Sequence, residues 1–154
     1  MIKVVLFISG GILPVLALAT IPTIFYSFMQ GNMEYGLLLI TLALITFLLS
    51  FLIRKFVLPT RQLTTIQGFG AVGLSWIFMS FFGTVPYLIS GIDLSYINIL
   101  FETVSGLTTT GSSILIDINS VDKSLLIWRS TTQWLGGMGV IVLTITVLPL
   151  LGSG

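Results

Sequence analysis

Cysteine and histidine are both missing from the 154 residues, and only 7% of the chain is charged. Their absence removes disulfide frameworks, thiolate or imidazole metal sites, Cys/His nucleophiles and histidine acid–base chemistry. The shortage of charge excludes a soluble globular domain, in which roughly 25% of residues are charged. Six Lys and Arg against five Asp and Glu leave a net charge of +1, which is neither a nucleic-acid-binding footprint nor a polyelectrolyte tail. What the chain has instead is 55% hydrophobic residues and a mean hydropathy of +1.13. Its length suffices for about one domain or four to five membrane spans.

A membrane-spanning helix needs about 20 predominantly apolar residues with charge pushed to its ends, and the few charges mark out four such stretches. The first runs from Val4 to about Met29 and holds Pro14 and Pro22, which a membrane helix tolerates as kinks. The second, Gly36 to Ile53, stops at Arg54, Lys55 and Arg61 with Pro59 between them, a basic turn of cytoplasmic type. The third runs from about Phe69 to Ile89, and the fourth from about Leu125 to Leu151, with Trp128 placed for an interfacial aromatic belt. The expected fold is therefore all-α and integral to the membrane, with four transmembrane helices.

Between the third and fourth stretches, Tyr96 to Leu107 is apolar but too short to span: about 18–20 Å of helix against a hydrocarbon core near 30 Å. Asp93 or Ser95 offers an N-cap, and Gly106 followed by three Thr ends the helix, so a re-entrant helix is expected over about 95–107. The loop after it, Thr108-Thr-Thr-Gly-Ser112, has the Gly106/Gly111 spacing of a phosphate-binding loop. Ser112 stands where that motif requires lysine, which sets the nucleotide reading aside. Either the loop is a polar surface turn, or it is a strip whose backbone carbonyls replace the hydration shell of a cation. The short helix between two full spans favours the strip. Extended backbone is expected at the Thr residues and an unusual carbonyl orientation at Gly111, with the negative end of the helix aimed at the ion.

Lys3, Arg54, Lys55 and Arg61 share one side if all four stretches span, against Lys123 and Arg129 on the other. That places the N-terminus in the cytoplasm and Ile92–Ser124 outside. Ala17-Leu-Ala19 has the form of a signal-peptide cleavage site, but apolar residues continue past it to Phe28, which favours a retained helix.

Three segments together carry a family resemblance: Phe101-Glu-Thr-Val-Ser-Gly-Leu-Thr-Thr-Thr-Gly111, Trp128-Arg-Ser-Thr-Thr-Gln-Trp-Leu-Gly-Gly-Met-Gly139 and Gly83-Thr-Val-Pro-Tyr87. The chain resembles one membrane–pore-loop–membrane unit of the Trk/Ktr/HKT potassium transporter superfamily, close to its bacterial TrkH-like members. The resemblance implies a helix pair at 1–67, a first pore-loop unit at 68–154, and a selectivity filter at Thr108, Thr109, Thr110, Gly111 and Ser112. It implies potassium uptake with no cofactor and no enzymatic step, in the plasma (inner) membrane. It also implies four such units around one pore, so that this sequence reads as a fragment requiring the remaining repeats or self-assembly, and a cytoplasmic nucleotide-binding regulatory partner. The alternative is a non-conducting helical assembly or regulatory subunit whose Thr/Gly loop is an exposed turn.

Other residues carry paired readings. Glu102, a carboxylate expensive at membrane depth, either ties its helix to a neighbour through Arg129 or Lys123 or concentrates cations at the pore mouth. Arg129 is an interfacial anchor or is packed behind the filter. Gly136, Gly137 and Gly139 serve close helix packing or a hinge, and Gly68, Gly70 and Gly73 read as packing or turn glycines.

Overall fold

The computed structural model describes residues 2–57 and 65–151, and every described regular element is helical. Helix α1 (Ile2–Ala19) passes into α2 (Ile21–Met29), and α3 (Met33–Phe56) follows as an antiparallel partner. Helix α4 (Thr65–Gly83) passes into the short α5 (Val85–Ile89). Then come α6 (Tyr96–Leu107), a 3-10 turn (Ile118–Ser120) and α7 (Lys123–Leu151). Among the described residues, three stretches, Gly10–Met29, Met33–Phe56 and Val72–Ile89, are long and apolar enough to cross a membrane. Arg61 and Pro59 of the expected basic turn lie outside the described residues.

Two of these stretches bend by the same device. Thr20-Ile-Pro22 and Thr84-Val-Pro86 each put a proline two residues after a threonine, and proline has no N–H for the carbonyl four residues back. Both threonines stay in the helical region, and both turn Oγ1 onto the carbonyl three residues earlier: Thr20 to Ala17 at 2.7 Å and Thr84 to Phe81 at 2.6 Å. The chain changes direction without exposing its backbone. Pro14, by contrast, is accommodated inside α1. The α2–α3 turn uses Gly31 at φ +77°, and Asn32 caps α3 by accepting the Tyr35 N–H at 3.2 Å. Glu34 in its first turn and Arg54 and Lys55 in its last complement the helix dipole.

Close approach is made by small residues. Ser50 Oγ donates to the Gly10 carbonyl at 2.6 Å, and a Cβ on Gly10 would stand 2.8 Å from Ile53 Cγ2, so α1 and α3 pack nearly backbone to backbone. Ala17 and Ala19 are buried within this bundle. Among the described residues, buried polar positions, mostly Ser and Thr, are as many as buried apolar ones, while Phe25, Phe47, Phe51, Phe56 and Ile77 are exposed. That inversion of the soluble pattern is the signature of an apolar surrounding.

The apolar core sits where α1, α5, α6 and α7 meet, built from Leu16, Ala19, Tyr87, Ile99, Leu125, Trp128 and Leu135. Trp128 is buried in it at 1% exposure, and its Nε1 donates to the Gly83 carbonyl at 3.0 Å. The interfacial-belt expectation for Trp128 is thus corrected: the break after Gly83 leaves a carbonyl that needs a donor, and the indole supplies it. A Cβ added at Gly70 or Gly73 would meet nothing within 4 Å, and both lie inside α4, so neither the packing nor the turn reading is met within this chain.

Removing the indole N–H while keeping an aromatic ring isolates that bond. Trp128→Phe is expected to lower stability by about 1–3 kcal/mol, because the Gly83 carbonyl loses its donor. Trp134→Phe, at a position 64% exposed, is expected to change little. Thermal unfolding of the detergent-solubilised protein checks both.

Candidate functional site

Helix α6 is the expected short helix, one residue shorter at its start than anticipated. Ser95, rather than Asp93, is its cap, and Ser95 Oγ accepts the Asn98 N–H at 3.3 Å. Twelve residues rise about 18 Å. Its buried face carries Ile99, Glu102, Thr103, Ser105, Gly106 and Leu107, while Ile97, Phe101 and Val104 face outward. Gly106 lies against Thr132 of α7, and Gly83 of α4 faces Thr103, where a Cβ would come within 2.6 Å of Cγ2. Gly136 lies directly against the Leu107 backbone, and a Cβ there would stand 2.6 Å from the carbonyl carbon and 3.0 Å from Cα. Gly139 abuts Trp76 of α4. These contacts favour the packing role of the α7 glycines over a hinge.

The helix ends in a Schellman closure. The Thr109 N–H donates to the Gly106 carbonyl and the Thr110 N–H to the Ser105 carbonyl, each at 3.0 Å. The residue after the cap in this motif takes a left-handed conformation, normally as glycine, yet here it is Thr109 at φ 56°. A β-branched residue there costs roughly 1–2 kcal/mol. Gly111 is left-handed as well, at φ 76°. Thr108 has φ −79° and ψ 1°, so the expectation of extended backbone fails at Thr108 and Thr109: satisfying the helix's last carbonyls outweighs β-branched preference. The unusual conformation expected at Gly111 is present. Thr108, Thr109, Thr110, Gly111 and Ser112 are all exposed in this chain, beyond the C-terminal end of α6.

The chain then returns alongside α6. Ser105 Oγ donates to the Ser112 carbonyl at 2.5 Å. One turn earlier, Glu102 Oε1 accepts Ser113 Oγ at 2.7 Å and the Ile114 N–H at 2.5 Å. Glu102 is fully buried, and Oε2 accepts Arg129 Nε at 3.0 Å. Arg129 Nη2 donates to the Gly111 carbonyl at 3.2 Å. Of the two cations named for Glu102, Arg129 is the partner, and its side chain turns to the loop instead of acting as an interfacial anchor. Ser105, Ser113 and Ile114 were not singled out from sequence. The available signal was Glu102 and Ser105 three residues apart on one helical face, opposite two consecutive serines.

Fold and loop together define a class: an all-helical, mostly membrane-spanning protein in which a short buried helix presents a braced Thr/Gly loop. Residues 33–154 match the family described as TrkH, cation transport proteins. The Trk system potassium uptake protein TrkH of Halomonas elongata is 33% identical over 156 residues, covering 99% of this chain and 32% of that protein. TrkG of Escherichia coli is 45% identical over 94 residues, covering 60% of this chain and 19% of that protein. TrkI of Halomonas elongata is 44% identical over 88 residues, 57% of this chain and 18% of that protein. The chain therefore spans a third or less of the length of these relatives. It belongs to the TrkH family of cation transport proteins.

Three substitutions test the brace and the packing. Glu102→Gln leaves Arg129 without its counter-ion. The expected loss is at the lower end of about 3–5 kcal/mol, because Arg129 keeps 18% exposure, and amide exchange at Ile114 should accelerate. Gly136→Ala should abolish monodisperse protein by driving a methyl into the Leu107 backbone. Gly137→Ala, with Thr109 Cγ2 at 3.9 Å, should be tolerated; size-exclusion profiles separate the two.

Proposed function

We propose that this chain supplies one pore-loop unit of a Trk-type potassium uptake protein in the plasma membrane. In this reading α1–α2, α3, α4–α5 and α7 are four spans and α6 is the re-entrant pore helix. Residues 1–67 form the accompanying helix pair, and 68–154 the unit that carries the filter. The 29 residues of α7 reach about 44 Å, enough to cross. Carbonyls of Thr108–Ser112 take over part of the hydration shell of potassium, and the C-terminal end of α6 adds roughly half a negative charge facing the ion. Further units, from the rest of a longer polypeptide or from further copies, complete the ring. The N-terminus is cytoplasmic, and a nucleotide-binding regulatory partner docks at the basic turn near Arg54 and Lys55.

The observation that carries this reading is the loop itself: exposed, left-handed at two positions, and tied to Glu102 through Arg129, Ser113 and Ile114. A free surface turn has no need of a buried charge to hold it.

The competing reading, a non-conducting subunit, also has residues 108–112 exposed in a single chain, so the assembled protein has to be probed. Single Cys substitutions at 108–112 in the transporter that contains this chain are expected to react slowly with a water-soluble thiol reagent, and more slowly still in excess potassium. Rapid labelling indifferent to potassium favours the non-conducting subunit. Gly111→Ala, which forces a side chain onto φ 76°, is expected to reduce potassium-over-sodium selectivity in rubidium and sodium flux. Cys probes at Thr60 and Asn119 should label from opposite sides of the membrane.

A further inference from the structure

The five loop carbonyls differ in what they already bind. The Thr108 carbonyl accepts Thr109 Oγ1 at 2.7 Å, the Gly111 carbonyl accepts Arg129 Nη2 at 3.2 Å, and the Ser112 carbonyl accepts Ser105 Oγ at 2.5 Å. Among the described residues, no donor reaches the carbonyls of Thr109 or Thr110. We infer that Arg129 is a specificity-determining positioning residue: its guanidinium retains the Gly111 carbonyl on the protein side, leaving Thr109 and Thr110 as the oxygens this loop offers a cation. The inference rests on the reading of Thr108–Ser112 as a filter and deepens it.

Three physical points carry it. The guanidinium is planar and rigid, so one group holding Glu102 through Nε and Gly111 through Nη2 fixes the loop carbonyl relative to the buried carboxylate. Lysine, with a single nitrogen on a flexible stem, cannot reproduce that fork. The charge needed for this is neutralised locally, because Glu102 sits 3.0 Å from Nε, so Arg129 orders the loop without setting a net positive charge beside a cation path. Finally, selectivity among bare cations depends on the number and field strength of the carbonyl dipoles around them. Releasing the Gly111 carbonyl from a cationic donor changes both.

The test uses the complete transporter that contains this chain, reconstituted in proteoliposomes, with the ratio of rubidium to sodium uptake as readout. A residue that only stabilises the fold alters the amount of active protein and leaves that ratio alone. Arg129→Lys keeps the charge and loses the fork. It is expected to fold, to retain uptake, and to lower the ratio about tenfold, equivalent to about 1.4 kcal/mol of discrimination. The paired variant Glu102→Gln/Arg129→Gln removes both charges together, and it is expected to shift the ratio in the same direction. A folded Arg129→Lys protein with an unchanged ratio, while Gly111→Ala shifts it, overturns the inference and leaves the filter reading standing. If Gly111→Ala also leaves the ratio unchanged, the filter reading itself fails. If neither Arg129 variant gives folded transporter, Arg129 is structural and the inference is overturned.

Discussion

Everything around the loop depends on burying one carboxylate. An ionised group taken out of water costs several kcal/mol unless its charge and lone pairs are met where it lies. Glu102, with no exposed surface, is met by three groups: the Arg129 guanidinium, the Ser113 hydroxyl and the Ile114 amide. Each partner constrains something different. Arg129 fixes the distance between α6 and α7, while Ser113 and Ile114 bring the chain back along the helix it has just left. The closure at Thr108–Gly111 is then a short link between two anchored ends, which explains how a threonine persists at a left-handed position that glycine occupies at lower cost.

The second constraint is how near the helices must come. Ser, Thr and Gly occupy the contacts because an apolar solvent gives bulky side chains no reason to be inside. Gly83, Gly106 and Gly136 are spread over three helices and bear on one region, the C-terminal half of α6 and its immediate end. With them, the Leu107 backbone lies against α7, and Arg129, two helical turns before Gly136, comes within reach of the loop.

Much of this architecture was legible in the linear sequence. The apolar stretches, the short helix and the position of its end follow from hydropathy and capping, which are local or depend only on length, whereas of the two prolines expected to kink the first stretch only Pro22 stands at a helix break. The loop was located for the same reason, because a Thr/Gly run after a helix too short to span stands out. The conformation within that run was misjudged, since β-branched preference is weak beside the need of the Ser105 and Gly106 carbonyls for donors. Trp128 was misplaced for a related reason: its partner is the Gly83 carbonyl, 45 residues away, and nothing in the spacing announces that Gly83 ends a helix segment with an acceptor to fill.

The sequence by itself therefore determined that the chain is helical, that it belongs in a membrane, and where a helix too short to span stands between longer ones. Those properties are sums over many residues and survive any rearrangement of contacts. Tertiary structure alone decided which cation answers Glu102, which α7 glycine touches the Leu107 backbone, and which loop carbonyl Arg129 holds. Each of these is a choice among groups of the same chemistry at separations of 18 to 29 residues. Only the relative placement of α6 and α7, set by where small residues let backbones meet, distinguishes one partner from another.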